Sequence, residues 1–377
     1  MSQWLEATRS VLLRLRDRTG AWGYRADRGP TSEATALCCL GLWSSRRLSL
    51  SKHMATDSFA SCIPPGGTAV RTDPQPLPFP PGGTAVRTDP QPLPFPPGGT
   101  AVRTDPQPLP PVRTADPTNN PGRVLHAELE AINRGADWLR QLQQADGSIG
   151  VSPGLPHPGW ATPYCLLLWK ALDVHLRACQ KASAWLLQEK GAPVDADQVL
   201  NRMIVGDDQS LLGWPWVDGT HSWLEPTALA IIALDRQGLG DHPRVEEGIK
   251  LILDRALHSG GWNYGNKSVF GRALRPHPEP TAMALLALAA RRANKCPRAV
   301  DPALRYLRQV LPGIDAPCST AWGVLGLRAW NACPAEADAW LARSFARHGG
   351  RRDITAGLGL LALAGGEPDV LTGKPLP

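Results

Sequence analysis

Six times along this chain a Thr opens an apolar run of small residues, and in five of the six it is followed by Ala. The openings read Glu33-Ala34-Thr35, Trp160-Ala161-Thr162, Glu225-Pro226-Thr227, Glu279-Pro280-Thr281, Cys318-Ser319-Thr320 and Asp353-Ile354-Thr355. The runs behind them, such as residues 283–290 and 357–364, are apolar on nearly every side, which predicts helices buried between neighbours. Between the runs lie amphipathic segments with their own mark, a small residue three before an aromatic-Leu pair. Gly135 precedes Trp138-Leu139, Ala182 precedes Trp185-Leu186, Ala303 precedes Tyr306-Leu307, and Ala337 precedes Trp340-Leu341. Gly248 keeps the spacing with Leu251-Ile252. The opposite faces carry Arg, Lys and Glu, so these segments belong outside. Helical pairs are therefore expected over 3–45, 126–174, 177–238, 243–293, 299–331 and 334–365. Six pairs can close a ring, and a closed ring needs no polar capping repeats. The expected fold class is all-α, a single (α/α)6 toroid of six inner and six outer helices.

The pattern is interrupted once. Residues 64–79, 80–95 and 96–110 repeat one Pro-rich unit, Pro-Pro-Gly-Gly-Thr-Ala-Val-Arg-Thr-Asp-Pro-Gln-Pro-Leu-Pro-Phe, whose last copy lacks the Phe. Such a unit has too much Pro for helix or ladder and too few apolar side chains to offset the entropy of ordering. It could serve as a polyproline ligand, but near-identity of the copies favours a tandem duplication carried in a surface loop. The expected organisation is a first helical pair over 1–45, a disordered insertion over 46–120, five further pairs over 121–366, and a tail over 367–377.

With 42% hydrophobic residues the chain can build a sizeable core. Its net charge of +6 is scattered among acidic residues, and no base-stacking or groove-reading module accompanies it. Nucleic acid is not an expected partner; weak attraction to anionic lipid headgroups is compatible with the charge. Eight Cys lack CxxC pairs and finger spacing, as expected of reduced thiols in a cytosolic protein. No signal peptide or spanning helix is expected. Localisation is expected to be cytoplasmic, with peripheral contact at the inner membrane face as the variant. The sequence does not fix an oligomeric state.

The stretch Arg134-Gly135, Trp138-Leu139, Gln143, Gly147 resembles the QW motif of squalene-hopene cyclases and related triterpene cyclases, with Ile149 where the final Trp belongs. Ala256, Gly260 and Trp262 keep the other half, with Ala in place of Gln. The run Gly260-Gly261-Trp262-Asn263-Tyr264-Gly265 is similar to loops in those cyclases and in protein prenyltransferase β-subunits. The resemblance covers nearly all of the chain outside the insertion. It implies a toroid handling an isoprenoid or other hydrophobic small molecule in a Trp-lined central cavity, without a cofactor. Trp22, Trp214, Trp216, Trp262, Tyr264, Glu33 and Asp353 would then bind substrate. The motif's Gln has a structural role in that family, so Gln143 is expected to reach backbone donors at a neighbouring helix. By offset from Thr-Ala, Glu225 and Glu279 match the middle Asp of the class II acid motif, Asp-x-Asp-Asp-Thr-Ala. Pro226 and Pro280 replace its last Asp, and Trp223 and His277 its first, so the complete motif is absent. An alkene is a very poor base, and a lone Glu raised by burial is a weaker acid still.

Read as residues alone, Glu33, Glu225, Glu279 and Asp353 stand at helix starts, where carboxylates cap backbone N–H groups and oppose the dipole. The competing role is acid–base catalysis by Glu279 and Glu225, with His277 two residues before Glu279 so that imidazole and carboxylate could pair. Asp195, Asp197, Asp207 and Asp208 lack a framing aspartate motif for Mg²⁺ and read as solvated loop. Asp315, Cys318 and His348 have the wrong spacing for Zn²⁺, so no metal is expected. Two alternatives to the isoprenoid enzyme stay open. One is a non-catalytic toroid binding a hydrophobic ligand or a protein. The other is a carbohydrate-active (α/α)6 enzyme with paired carboxylates.

Overall fold

The computed structural model describes residues 2–57, 121–193, 207–291, 298–367 and 369–372. The chain divides into a compact unit of residues 1–52 and 106–377, and a second unit of residues 53–105. The Pro-rich repeats, Asp195 and Asp197 lie outside the described residues.

The described chain is mostly helical. Its first half holds α1 (Gln3–Arg14), α2 (Ser32–Asp57), α3 (Pro121–Gln141), α4 (Thr162–Leu172), α5 (Leu176–Gln188) and α6 (Leu224–Arg236). The second half holds α7 (Pro243–Asp254), α8 (Pro278–Arg291), α9 (Val300–Val310), α10 (Pro317–Arg328), α11 (Ala337–His348), α12 (Thr355–Gly365) and α13 (Asp369–Thr372). Pro opens α7, α8 and α10, where its missing N–H costs no intrahelical bond. A short hairpin, β1 (Ser268–Val269) with β2 (Arg272–Ala273), precedes α8. Its two-residue turn places Phe270 at φ 51° and Gly271 at φ 73°, the backbone hand that matches the strand twist.

Helices alternate in environment as the two sequence marks require. Every residue of α12 is buried, and so is the unbroken stretch Thr162–Trp169 of α4. By contrast, α7 and α9 bury one side only, through Val245, Gly248, Leu251 and Ile252 in α7 and Val300, Ala303 and Leu307 in α9. The buried helices touch in chain order: α4 packs on α6, α6 on α8, α8 on α10, and α10 on α12. Small residues allow the approach. A Cβ on Gly326 of α10 would lie 2.8 Å from the Cα of Ala282 in α8. Between α12 and α2 the approach is tighter: a Cβ on Gly41 would lie 2.2 Å from the carbonyl oxygen of Gly359. A Cβ on Gly359 would in turn meet the backbone of Leu37 and Cys38 at 2.8–2.9 Å.

Two boundaries differ from expectation. Helix α2 continues through Asp57, so residues 46–57 are helical rather than part of the insertion. They contain no Pro, and the Pro-rich character begins only at Pro64. The Arg46 guanidinium donates to the carbonyl of Leu125 in α3, joining the two segments that flank the repeats. The tail also contributes structure. Helix α13 packs against α4, α6 and α8, with Val370 and Leu371 buried. Among the exterior helices, α1 and α3 are joined by a buried ion pair. Arg9 grips Glu128 through two nitrogens, Nε at 2.7 Å from Oε1 and Nη2 on Oε2.

Candidate functional site

The loops that lead into the buried helices are fastened by the repeating Thr. Its hydroxyl can accept and donate at once. Thr35, Thr227 and Thr281 use both capacities on a single Trp. Each Oγ1 accepts the backbone N–H of Trp22, Trp214 or Trp262 at 2.9–3.0 Å. Each also donates to the same Trp's carbonyl, at 3.0–3.5 Å. Thr162 accepts from Ile149 in the same manner, at 2.9 Å, and donates to the Gly159 carbonyl. The three indole N–H groups then reach exterior helices: Trp22 to the Leu12 carbonyl, Trp214 to Leu186, and Trp262 to Ile252, at 2.7–2.9 Å.

This geometry corrects the expectation that Trp22, Trp214 and Trp262 line a substrate cavity. They are at most 2% exposed, with their polar atoms satisfied, and they pin loop to wall. Gln143 is likewise structural, but with the opposite polarity from that expected. Its amide nitrogen donates to the carbonyls of Gly147 and Ala178 instead of capping N–H groups.

Pinning the Thr fixes the residue two positions before it, and here the carboxylates gather. Glu33, Glu225 and Glu279 are each the second residue of α2, α6 and α8 and are half-buried. No backbone N–H bond to these three carboxylates is found among the described residues. The Tyr24 hydroxyl donates to Glu33 Oε2. Ser319 Oγ donates to Glu279 Oε1 at 2.7 Å. Glu225 has no hydrogen-bond partner among the described residues. Burial, followed by the nearby charges of Glu279 and Glu33, pushes the Glu225 carboxyl up to about 7. Burial likewise lifts Glu33 to about 7, against a smaller downward pull from the Tyr24 hydroxyl.

Tyr164, Tyr264 and Cys318 complete the cluster. Burial raises the Tyr164 hydroxyl, and Glu33 and Glu225 add to the rise. Tyr264, 40% exposed, is raised by burial and then by Glu279 and Glu225. The Cys318 thiol is pushed up to about 12 by burial and then by all three glutamates. Cys318 stands two before Thr320, in register with Glu225 and Glu279, so the repeat could have flagged it. Ser319, Tyr24 and Tyr164 carry no such signal.

The remaining expected site residues separate from this group. Among the described residues no hydrogen bond joins His277 to Glu279. His277 is exposed and tilted against the Tyr264 ring, with centroids 5.1 Å apart. Its geometry corrects the expected imidazole–carboxylate pair. Asp353 is held by Arg351 at 2.7–2.9 Å, and that bond lowers its pKa. Trp216 packs edge-on to Trp160 in a different recess. Asp207 is buried rather than solvated, with Arg255 at 3.8 Å and Lys267 at 3.5 Å. Asp315 pairs with Arg347 and lies 3.6 Å from His348. Among the described residues no three His, Cys, Asp or Glu side chains gather as a metal site, and no helix is long and apolar enough to cross a membrane.

The chain matches no protein-family model and no curated protein.

Proposed function

We propose that the chain is an (α/α)6 toroid, similar to terpene cyclases and prenyltransferase β-subunits, that transfers a proton to or from a hydrophobic, isoprenoid-class substrate at Glu225. The ring is supported by the contact order of α4 to α12 together with the Gly41–Gly359 approach between α12 and α2. The proton transfer rests on one observation: Glu225 is a half-buried carboxyl without a partner among the described residues, raised to about 7. A group that titrates near neutral pH can act as both acid and base. It is too weak an acid for an unactivated alkene, so the substrate would carry a carbonyl, hydroxyl or cationic centre at its reacting end. The Tyr24–Glu33 and Ser319–Glu279 pairs would orient that end.

The acidic and hydroxyl-rich wall, with Trp223 and Tyr264 both 40% exposed, also supports the carbohydrate-active reading. One experiment separates the two. The protein is incubated in D2O with a cell lipid extract, and in parallel with oligosaccharides, and products are examined by mass spectrometry. Deuterium entering a prenyl lipid, lost in Glu225→Gln, is the expected result. Oligosaccharide cleavage without lipid labelling would replace the isoprenoid reading, and neither activity would leave a binding protein.

A further inference from the structure

A second recess lies between the loops of adjacent repeats, with a volume of about 540 Å³. Its walls come from the loop before α4, the end of α5 and the loop before α6. Three half-buried indoles, Trp160, Trp185 and Trp216, face it. Trp160 occupies the position two before Thr that holds Glu in three other repeats. Its ring and that of Trp216 stand at 75° with centroids 5.3 Å apart, forming a corner rather than a flat platform. Gly159 leaves room for this arrangement, because a Cβ there would lie 3.0 Å from the Trp185 ring.

Carboxylates dominate the charged lining of the recess. Asp146, Glu189 and Asp218 line it beside His157, and among the described residues no Lys or Arg does. Glu189 Oε1 is shielded from water and has no hydrogen-bond partner among the described residues. Glu189 also caps the C-terminus of α5, where the helix dipole already presents negative charge. Burial, then Asp218 and Asp146, raise its carboxyl to about 7, and Arg244 offsets only part of this. The Arg244 guanidinium is committed to the wall. It donates to the backbone carbonyls of Glu189, Leu212 and Gly213 and stacks over Trp214 at 3.8 Å.

We propose that this recess binds a small organic cation of the quaternary or methylated ammonium class. Trp160, Trp185 and Trp216 form the aromatic cage, and Asp146, Glu189 and Asp218 supply the countercharge. Indole faces attract a cation through their quadrupole, most strongly where water is excluded. A right-angled corner encloses a compact methylated head from two sides, whereas a sugar ring would stack on a flat face. The inference is independent of the chemistry assigned to Glu225.

The test is calorimetric titration of the full chain at fixed salt with choline and tetramethylammonium, against 3,3-dimethylbutanol, the neutral isostere of choline. Choline is expected to bind at least about tenfold more tightly than its isostere. Glu189→Gln and Trp216→Leu should each weaken choline binding by several fold while the helical circular dichroism is kept. Equal affinity for choline and dimethylbutanol would overturn the proposal. So would the absence of saturable binding of either cation, or saturable binding of cellobiose in their place. The isostere comparison needs only the unmodified protein, so it stands even if a variant fails to fold.

Discussion

Glu128 is fully buried and Glu225 half-buried, and the chain treats the two carboxylates in opposite ways. Glu128 joins two exterior helices and is gripped by both ends of the Arg9 fork, so its charge is cancelled where it lies. Glu225 sits at the start of a buried helix with Glu279 and Glu33 as electrostatic neighbours and no cation among the causes of its shift. A wall that must stay closed satisfies its polar atoms. The helix-start cluster leaves one carboxyl without a partner among the described residues, which is the freedom that the proposed proton exchange requires.

The sharpest way to break this comparison is to remove the compensation in the wall. Glu128→Gln removes the carboxylate charge that both ends of the Arg9 fork grip, at an expected cost of about 3–5 kcal/mol. For a chain of this size that lowers the melting temperature by on the order of 10 °C. A change of only a degree or two would show that the pair is solvated and that the wall does not depend on it.

The Thr pins come next, with a control built into the repeat. Thr227→Val keeps the shape but strands the Trp214 N–H, at an expected cost of about 1–3 kcal/mol. Thr355 occupies the same repeat position, but its buried Oγ1 has no partner among the described residues. Thr355→Val should therefore be neutral or stabilising in denaturant unfolding. Equal losses in both variants would mean that the hydroxyl bond is not what the repeat preserves.

The repeat was legible because buried and exterior helices differ in composition as well as in period. Met283 to Ala290 could only lie inside, and Gly135 could only lie where a helix presses close, as it does on Cys39 and Trp22. Helix α13 escaped because four residues carry no period. The continuation of α2 escaped because Arg46 to Asp57 is polar enough to read as loop. In the site, Glu33, Glu225 and Glu279 were visible as one register of the repeat. Tyr24 and Ser319 were not: Ser319 reaches Glu279 across two repeats, and Tyr24 meets Glu33 through the fold of its loop, so both contacts follow from packing rather than spacing. The Trp residues misled for a related reason. Sequence shows an indole but not whether its N–H is spent on a carbonyl, which separates the buried Trp262 from the half-exposed Trp216.

The smallest effect sharpens the comparison most, because two carboxylates of the same register should respond to pH with opposite sign. The folded state holds a proton on Glu225 up to about pH 7, whereas an ordinary Glu releases it near 4.5. Between those values the folded chain binds more protons than the unfolded one, so stability falls as pH rises through the window. The gap corresponds to roughly 3 kcal/mol in full, reduced to on the order of 1 kcal/mol by the water that reaches a half-buried group. Asp353 has the reverse linkage. Arg351 holds its pKa below the ordinary value, so its contribution is present at neutral pH and is lost as pH falls through the acid range. Melting temperatures from pH 5 to 8 should thus match for the wild type and Glu225→Gln at the acid end and diverge upward for the variant toward pH 8. Asp353→Asn should run parallel to the wild type and slightly below it, as expected for a solvent-accessible ion pair. Glu33 and Glu189 titrate in the same window, so the reading is the difference between the wild type and Glu225→Gln rather than either curve alone. Parallel curves for those two proteins would place Glu225 at an ordinary pKa and remove the physical basis for proton transfer at this position.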